Sequence, residues 1–142
     1  MDKDKFFNPD YKPDENTRNE IENLHKEGIS LSGVQLQFAD MKNANLTNAD
    51  LSNSNLTRAD FSGASMYGVN LKGANLFKTN LEGANLKAAN MKNCNMLGAD
   101  FSNTKLNNVD WDEDYKVINE REAEEALSSG DVNTAKEKYR ES

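Results

Sequence analysis

The chain has 142 residues, 36% of them apolar, a mean hydropathy of −0.88 and a formal net charge of −7. That length fits one domain, and the hydropathy argues against a single thick core. No apolar run approaches the 18 residues that suggest a membrane span, the polar start Met1-Asp2-Lys3-Asp4-Lys5 carries no signal peptide, and one cysteine allows no intrachain disulfide, so a reducing, cytoplasmic setting is expected.

Residues 1–28 read as an extension and a cap. Phe6, Phe7, Tyr11 and two prolines fall in residues 1–15, which are expected either to pack in extended form beside the cap or to remain mobile. Asn16 or Thr17 can start a short helix and Gly28 can end it, with Ile21 and Leu24 on one face.

From residue 29 to residue 113 the chain keeps one five-residue period. Large apolar residues recur at Leu31, Leu36, Met41, Leu46, Leu51, Leu56, Phe61, Met66, Leu71, Leu76, Leu81, Leu86, Met91, Met96, Phe101, Leu106 and Trp111. A smaller residue, usually Ala, sits two places before each, with Asn or Asp commonly between them. An α-helix would scatter this set, because five residues advance about 500°. A straight strand would throw every second member outward. The period works if the chain turns a corner after each short strand, with Gly, Asn and Ser making the turn. Both apolar residues of every pentad then face a common axis, and stacked coils satisfy each other's backbone. Four pentads per coil would place residues twenty apart on one another, but the periodicity itself leaves three sides open.

Segments such as Ala44-Asn45-Leu46-Thr47-Asn48, Ala59-Asp60-Phe61-Ser62-Gly63 and Ala84-Asn85-Leu86-Lys87-Ala88 resemble the pentapeptide-repeat family. The resemblance covers residues 29–113. It implies a mainly β fold, a right-handed quadrilateral β-helix of about four coils, with short helical caps expected at both ends.

In residues 114–142, Glu120 to Leu127 is strongly helical and Ser128-Ser129-Gly130 ends it. Asp131 can cap a second helix through Val132, Ala135 and Tyr139. This hairpin resembles a tetratricopeptide-type unit. The whole layout resembles the cytoplasmic part of prokaryotic pentapeptide-repeat and ion-channel fusion proteins, which implies helices continuing in a longer protein.

No catalytic constellation is visible, so an enzyme is not expected. His25 is the only histidine and reads as a surface or cap residue; Cys94 sits at a small inward position and reads as core. Asp40, Asp50, Asp60, Asp100 and Asp110 could suggest a calcium ladder, but they share their place with Asn45, Asn75, Asn85 and Asn95. Bonding to local backbone is therefore expected, with no metal and no cofactor. Outward-facing Phe38, Tyr67, Phe77 and Leu97 form the candidate interaction surface, Phe77 and Leu97 falling one coil apart.

Eight acids against seven bases leave the repeat at −1, and eight against five leave each flank at −3. No basic face stands out, so direct nucleic-acid binding is not expected. The expected role is a scaffold or protein-interaction module, as a cytosolic part of a larger membrane protein, with partner and oligomeric state open. The alternative is a DNA-mimicking regulator of an enzyme such as gyrase, an activity known in the resembled family. The near-neutral repeat argues against it.

Overall fold

A computed structural model describes residues 3–112. The hairpin expected in residues 114–142 lies outside the described residues.

Parallel β-bridges join residues twenty apart without interruption, from Gln35 with Asn55 to Asn90 with Asp110. They fall in four columns, so the coil has four sides. We name each side by its first inward residue: the Leu31, Leu36, Met41 and Leu46 faces. Chain order makes the Leu36 and Leu46 faces opposite each other.

Three kinds of hydrogen bond hold one coil on the next, one of them from the corner residue, as the Gly73 N–H donates to the Lys92 carbonyl at 2.9 Å. The N–H of each large inward residue from Leu31 to Met91 donates onward, as Leu51 does to the Asn70 carbonyl at 2.8 Å. The N–H of each Asx-position residue from Asn55 to Asp110 donates back, as Asn70 does to the Ala49 carbonyl at 2.9 Å. Within a coil, each corner closes with a turn bond such as Ala74 N–H to the Leu71 carbonyl, 2.9 Å. Sixteen successive corner residues, Gly33 to Asn108, have φ between 54° and 82°. That left-handed conformation is why Gly and Asn dominate the last place of the pentad.

The core is the central column of side chains. Sixteen of the seventeen large inward residues, Leu31 to Leu106, are buried. Trp111 is only half-buried, packed against the core. Cys94, expected in the core, is likewise half-buried. Polar variants at the small position are satisfied by carbonyls: Ser54 Oγ donates to the Leu51 carbonyl of its own coil at 2.6 Å, whereas Thr79 Oγ and the Cys94 thiol donate to the preceding coil, to the Leu56 carbonyl at 2.7 Å and the Leu71 carbonyl at 2.9 Å.

The first coil needs a substitute for the coil it lacks, and residues 3–26 supply one. A 3-10 turn, Lys3–Phe7, and helix α1, Thr17–Lys26, lie against it. The Gln35 N–H donates to the Phe6 carbonyl at 2.7 Å, and the Asn45 N–H to the Glu22 carboxylate at 2.9 Å. Arg18 donates to the Lys42 carbonyl at 3.0 Å, and His25 Nε2–H to the Thr47 carbonyl at 2.8 Å. Phe6, Ile21 and Leu24 bury themselves over the open end of the core. Asn16 precedes α1 but makes no side-chain cap; Asp14 instead accepts the Asn16 N–H, and its own N–H donates to Thr17 Oγ at 2.8 Å. The chain leaves α1 through Gly28, whose φ of 77° and bond to the His25 carbonyl close the helix.

Candidate interaction surface

The polar column is scaffolding. Oδ1 of Asp40, Asp50, Asp60 and Asp100 each accepts the N–H two residues on, at 2.9–3.2 Å. Asn70, Asn75, Asn80, Asn85, Asn90 and Asn95 do the same. Either residue type therefore shapes the strand before the corner. At Asp50, burial works to raise the carboxyl. Hydrogen bonds from the Ser52 hydroxyl and N–H and the Ser30 hydroxyl outweigh it and hold the group below the usual carboxylate range. Among the described residues, no cluster of three or more His, Cys, Asp or Glu is placed to hold a metal ion.

The four outward apolar residues do not form one patch. Phe38, Phe77 and Leu97 lie on the Leu36 face and its corner, whereas Tyr67, 47% exposed, lies on the opposite Leu46 face. On the Leu36 face, Phe38 is 68% exposed and Leu97 59%. Phe77 is a correction to the sequence reading: it is half-buried, flanked by Arg58 at 5.9 Å and Lys78 at 5.3 Å from its ring centroid. Its ring is a support for two cations.

The corner column of this face is also unusual in its backbone. Among the sixteen left-handed corners, all but four are Gly or Asn. The exceptions are Phe38, Arg58, Lys78 and Ala88, and the first three stack on the Leu36 face. A non-glycine residue in this conformation costs about 1–2 kcal/mol. Gly98 completes the column; the Lys78 side chain lies over it, with Cγ 2.9 Å from where a Cβ would stand. The sequence reading assigned turns to these places without noticing that bulky and cationic residues occupied one column of them.

Charge, near zero over the whole repeat, is sorted by face. The Met41 face carries Asp40, Asp60, Glu82 and Asp100 against Lys42 alone, which lies 3.8 Å from Asp60. The strands and corners of the Leu36 face carry Arg58 and Lys78 and no acid. Neither cation has a carboxylate at salt-bridge distance among the described residues. Sorting the outward residues by a twenty-residue period would have revealed this; summing them concealed it.

At the first-coil end, this face opens into a groove of about 710 Å³ lined by Pro9, Tyr11, Pro13, Gln37 and Phe38, with Asp10 and Lys12 as charged lining of opposite sign. Tyr11 is fixed there by its hydroxyl contact with Thr17 Oγ at 2.6 Å and its edge-on packing against Phe6.

Comparison with known proteins bears on the repeat. The family model for pentapeptide repeats matches eight copies over residues 29–68 and 70–108, more than half of the chain. Among solved structures, the chain resembles HetL, a pentapeptide repeat protein involved in heterocyst differentiation regulation from the cyanobacterium Nostoc sp. strain PCC 7120. Identity is 34% and the TM-score 0.53, over 54% of this chain and 36% of that one. A pentapeptide repeat protein of the Arabidopsis thaliana thylakoid lumen is 36% identical with a TM-score of 0.42, over 56% of this chain and 62% of that one. The chain thus spans little more than a third of the length of HetL. No curated protein matches it.

Proposed function

This chain belongs to the pentapeptide-repeat family, whose members fold as right-handed quadrilateral β-helices, and from that premise we propose that it is a non-enzymatic scaffold docking a protein partner on its Leu36 face. One observation carries this reading: exposed Phe38 and Leu97 share that face with two cations that have no carboxylate partner among the described residues, on corners whose backbone is strained. All the corners outside this column except Ala88 are Gly or Asn, which serve the fold there. Residues that cost stability without serving the fold are accounted for by a contact elsewhere. The regulatory role of HetL supports a binding rather than a catalytic function for such a repeat. No helix among the described residues is long and apolar enough to cross a membrane.

Site-specific photocrosslinking tests the reading. A photoreactive residue is placed at Phe38, Leu97, Lys72, Glu82 or Lys87, sampling all four faces, in cells that express the full protein. We expect one discrete crosslinked protein from positions 38 and 97 and none from the other three. Equal crosslinking from all faces, or none from positions 38 and 97, would contradict it.

A further inference from the structure

We infer that the partner segment bound by the Leu36 face is an extended, acidic peptide of pattern apolar-x-acid-x-apolar, running along the stack. This rests on the scaffold reading above and adds the chemistry of the partner.

The spacing comes from the coil rise. Phe38, Arg58, Lys78 and Gly98 occupy one corner column, and Leu97 stands beside Gly98, so Phe38 and Leu97 lie three coils apart. At about 4.8 Å per coil that is about 14 Å. An extended peptide rises about 3.3 Å per residue, so side chains at its first and fifth positions stand about 13 Å apart on one side. The first would enter the groove between Phe38 and the Pro9, Tyr11 and Pro13 segment. The fifth would cover Leu97, and the third, on the same side, would stand between Arg58 and Lys78.

That middle residue must be acidic. Arg58 and Lys78 both sit over Phe77, have no carboxylate partner among the described residues, and lie on strands and corners without acids. A carboxylate placed there would gain two charge-assisted hydrogen bonds. A single-stranded nucleic acid is the other ligand that cations and aromatics can attract, but it needs open rings for its bases. Phe77 is already covered by the two cations, and Leu97 offers no ring.

The test is fluorescence polarisation on the full chain with two labelled peptides, Gly-Leu-Ser-Asp-Ser-Leu-Gly and its analogue with Lys in place of Asp. We expect saturable binding of the Asp peptide, roughly tenfold tighter than the Lys peptide at low salt, with the preference shrinking as salt rises. Arg58→Glu combined with Lys78→Glu should reverse the preference toward the Lys peptide, while Lys87→Glu on the opposite face should leave it unchanged. Circular dichroism confirms that each variant is folded. Equal affinity for the two peptides, no saturable binding of either, a preference that survives the reversal, or tighter binding of oligo-dT would each overturn the inference. A protein crosslinked from position 38 whose contacting segment lacks acids would overturn this inference and leave the scaffold reading intact. Absence of any crosslink would remove the scaffold reading itself.

Discussion

Leu71 sits midway along the stack, wholly buried, in one column with Leu51 before it and Met91 after it. Its N–H donates to the Asn90 carbonyl at 2.8 Å, and its carbonyl accepts from the Ala74 N–H and the Cys94 thiol, both at 2.9 Å. Truncating it to Ala removes three carbons from a place that cannot collapse, because these bonds hold the neighbouring coils at their spacing. Leu→Ala in a core costs about 2–5 kcal/mol, more where relaxation is blocked. We therefore expect Leu71→Ala to cost about 4 kcal/mol. Urea unfolding followed by far-UV circular dichroism and by Trp111 fluorescence measures it. With a slope of about 2 kcal/mol per molar urea, the midpoint should fall by about 2 M. Leu97→Ala, at an exposed outward place, should cost under about 0.5 kcal/mol. Leu71→Asp should abolish the cooperative transition, since it buries an unpaired charge. A loss below about 1 kcal/mol for Leu71→Ala, or an unchanged melting temperature for Leu71→Asp, would refute the reasoning about inward register.

Other expectations are smaller or of opposite sign. Gly63→Ala should destabilise by about 1–2 kcal/mol, because φ is 68° and the new Cβ would meet the Asn43 side-chain amide; a neutral result in thermal melts would show that the corner relaxes freely. Thr79→Val should cost less than about 1 kcal/mol, since the Leu56 carbonyl that loses the hydroxyl keeps its bond from the Ala59 N–H. Asp50 has a lowered pKa in the folded chain, so its stabilising effect is present above the unfolded carboxylate value, about 3.9, and is lost as pH falls through the folded one. Asp50→Asn should therefore flatten the acid end of a stability-versus-pH curve; an unaltered curve would count against the Ser30 and Ser52 bonds. DNA supercoiling by purified gyrase should be unaffected by this protein, and inhibition would instead favour the DNA-mimic alternative.

The inward half of the repeat was legible because a five-residue period has one consistent solution, a strand and a corner, that keeps Leu31 through Leu106 on one axis. The Asx column was legible for a related reason: Asp and Asn interchange there, so only the shared Oδ1 can matter. What escaped depends on neighbours twenty residues apart. Phe77 looked exposed because nothing local shows that Arg58, one coil earlier, and Lys78 flank its ring. The near-neutral charge concealed an acidic Met41 face and a cationic Leu36 face. The edge contacts of Arg18, Glu22 and His25 were unreadable, since they answer backbone groups that are free only where a coil has no predecessor.

Every functional statement above rests on outward residues twenty apart standing on one another. Pyrene excimer fluorescence tests that directly. In a Cys94→Ala background, Phe77→Cys with Leu97→Cys is labelled with pyrene maleimide, and so is Phe77→Cys with Lys92→Cys. The four-sided coil predicts strong excimer emission from the 77 and 97 pair, which are neighbours about 5 Å apart on one face. It predicts markedly weaker emission from the 77 and 92 pair, which lie on adjacent faces. The reverse ranking would mean a fifteen-residue coil and would dissolve the Leu36 face.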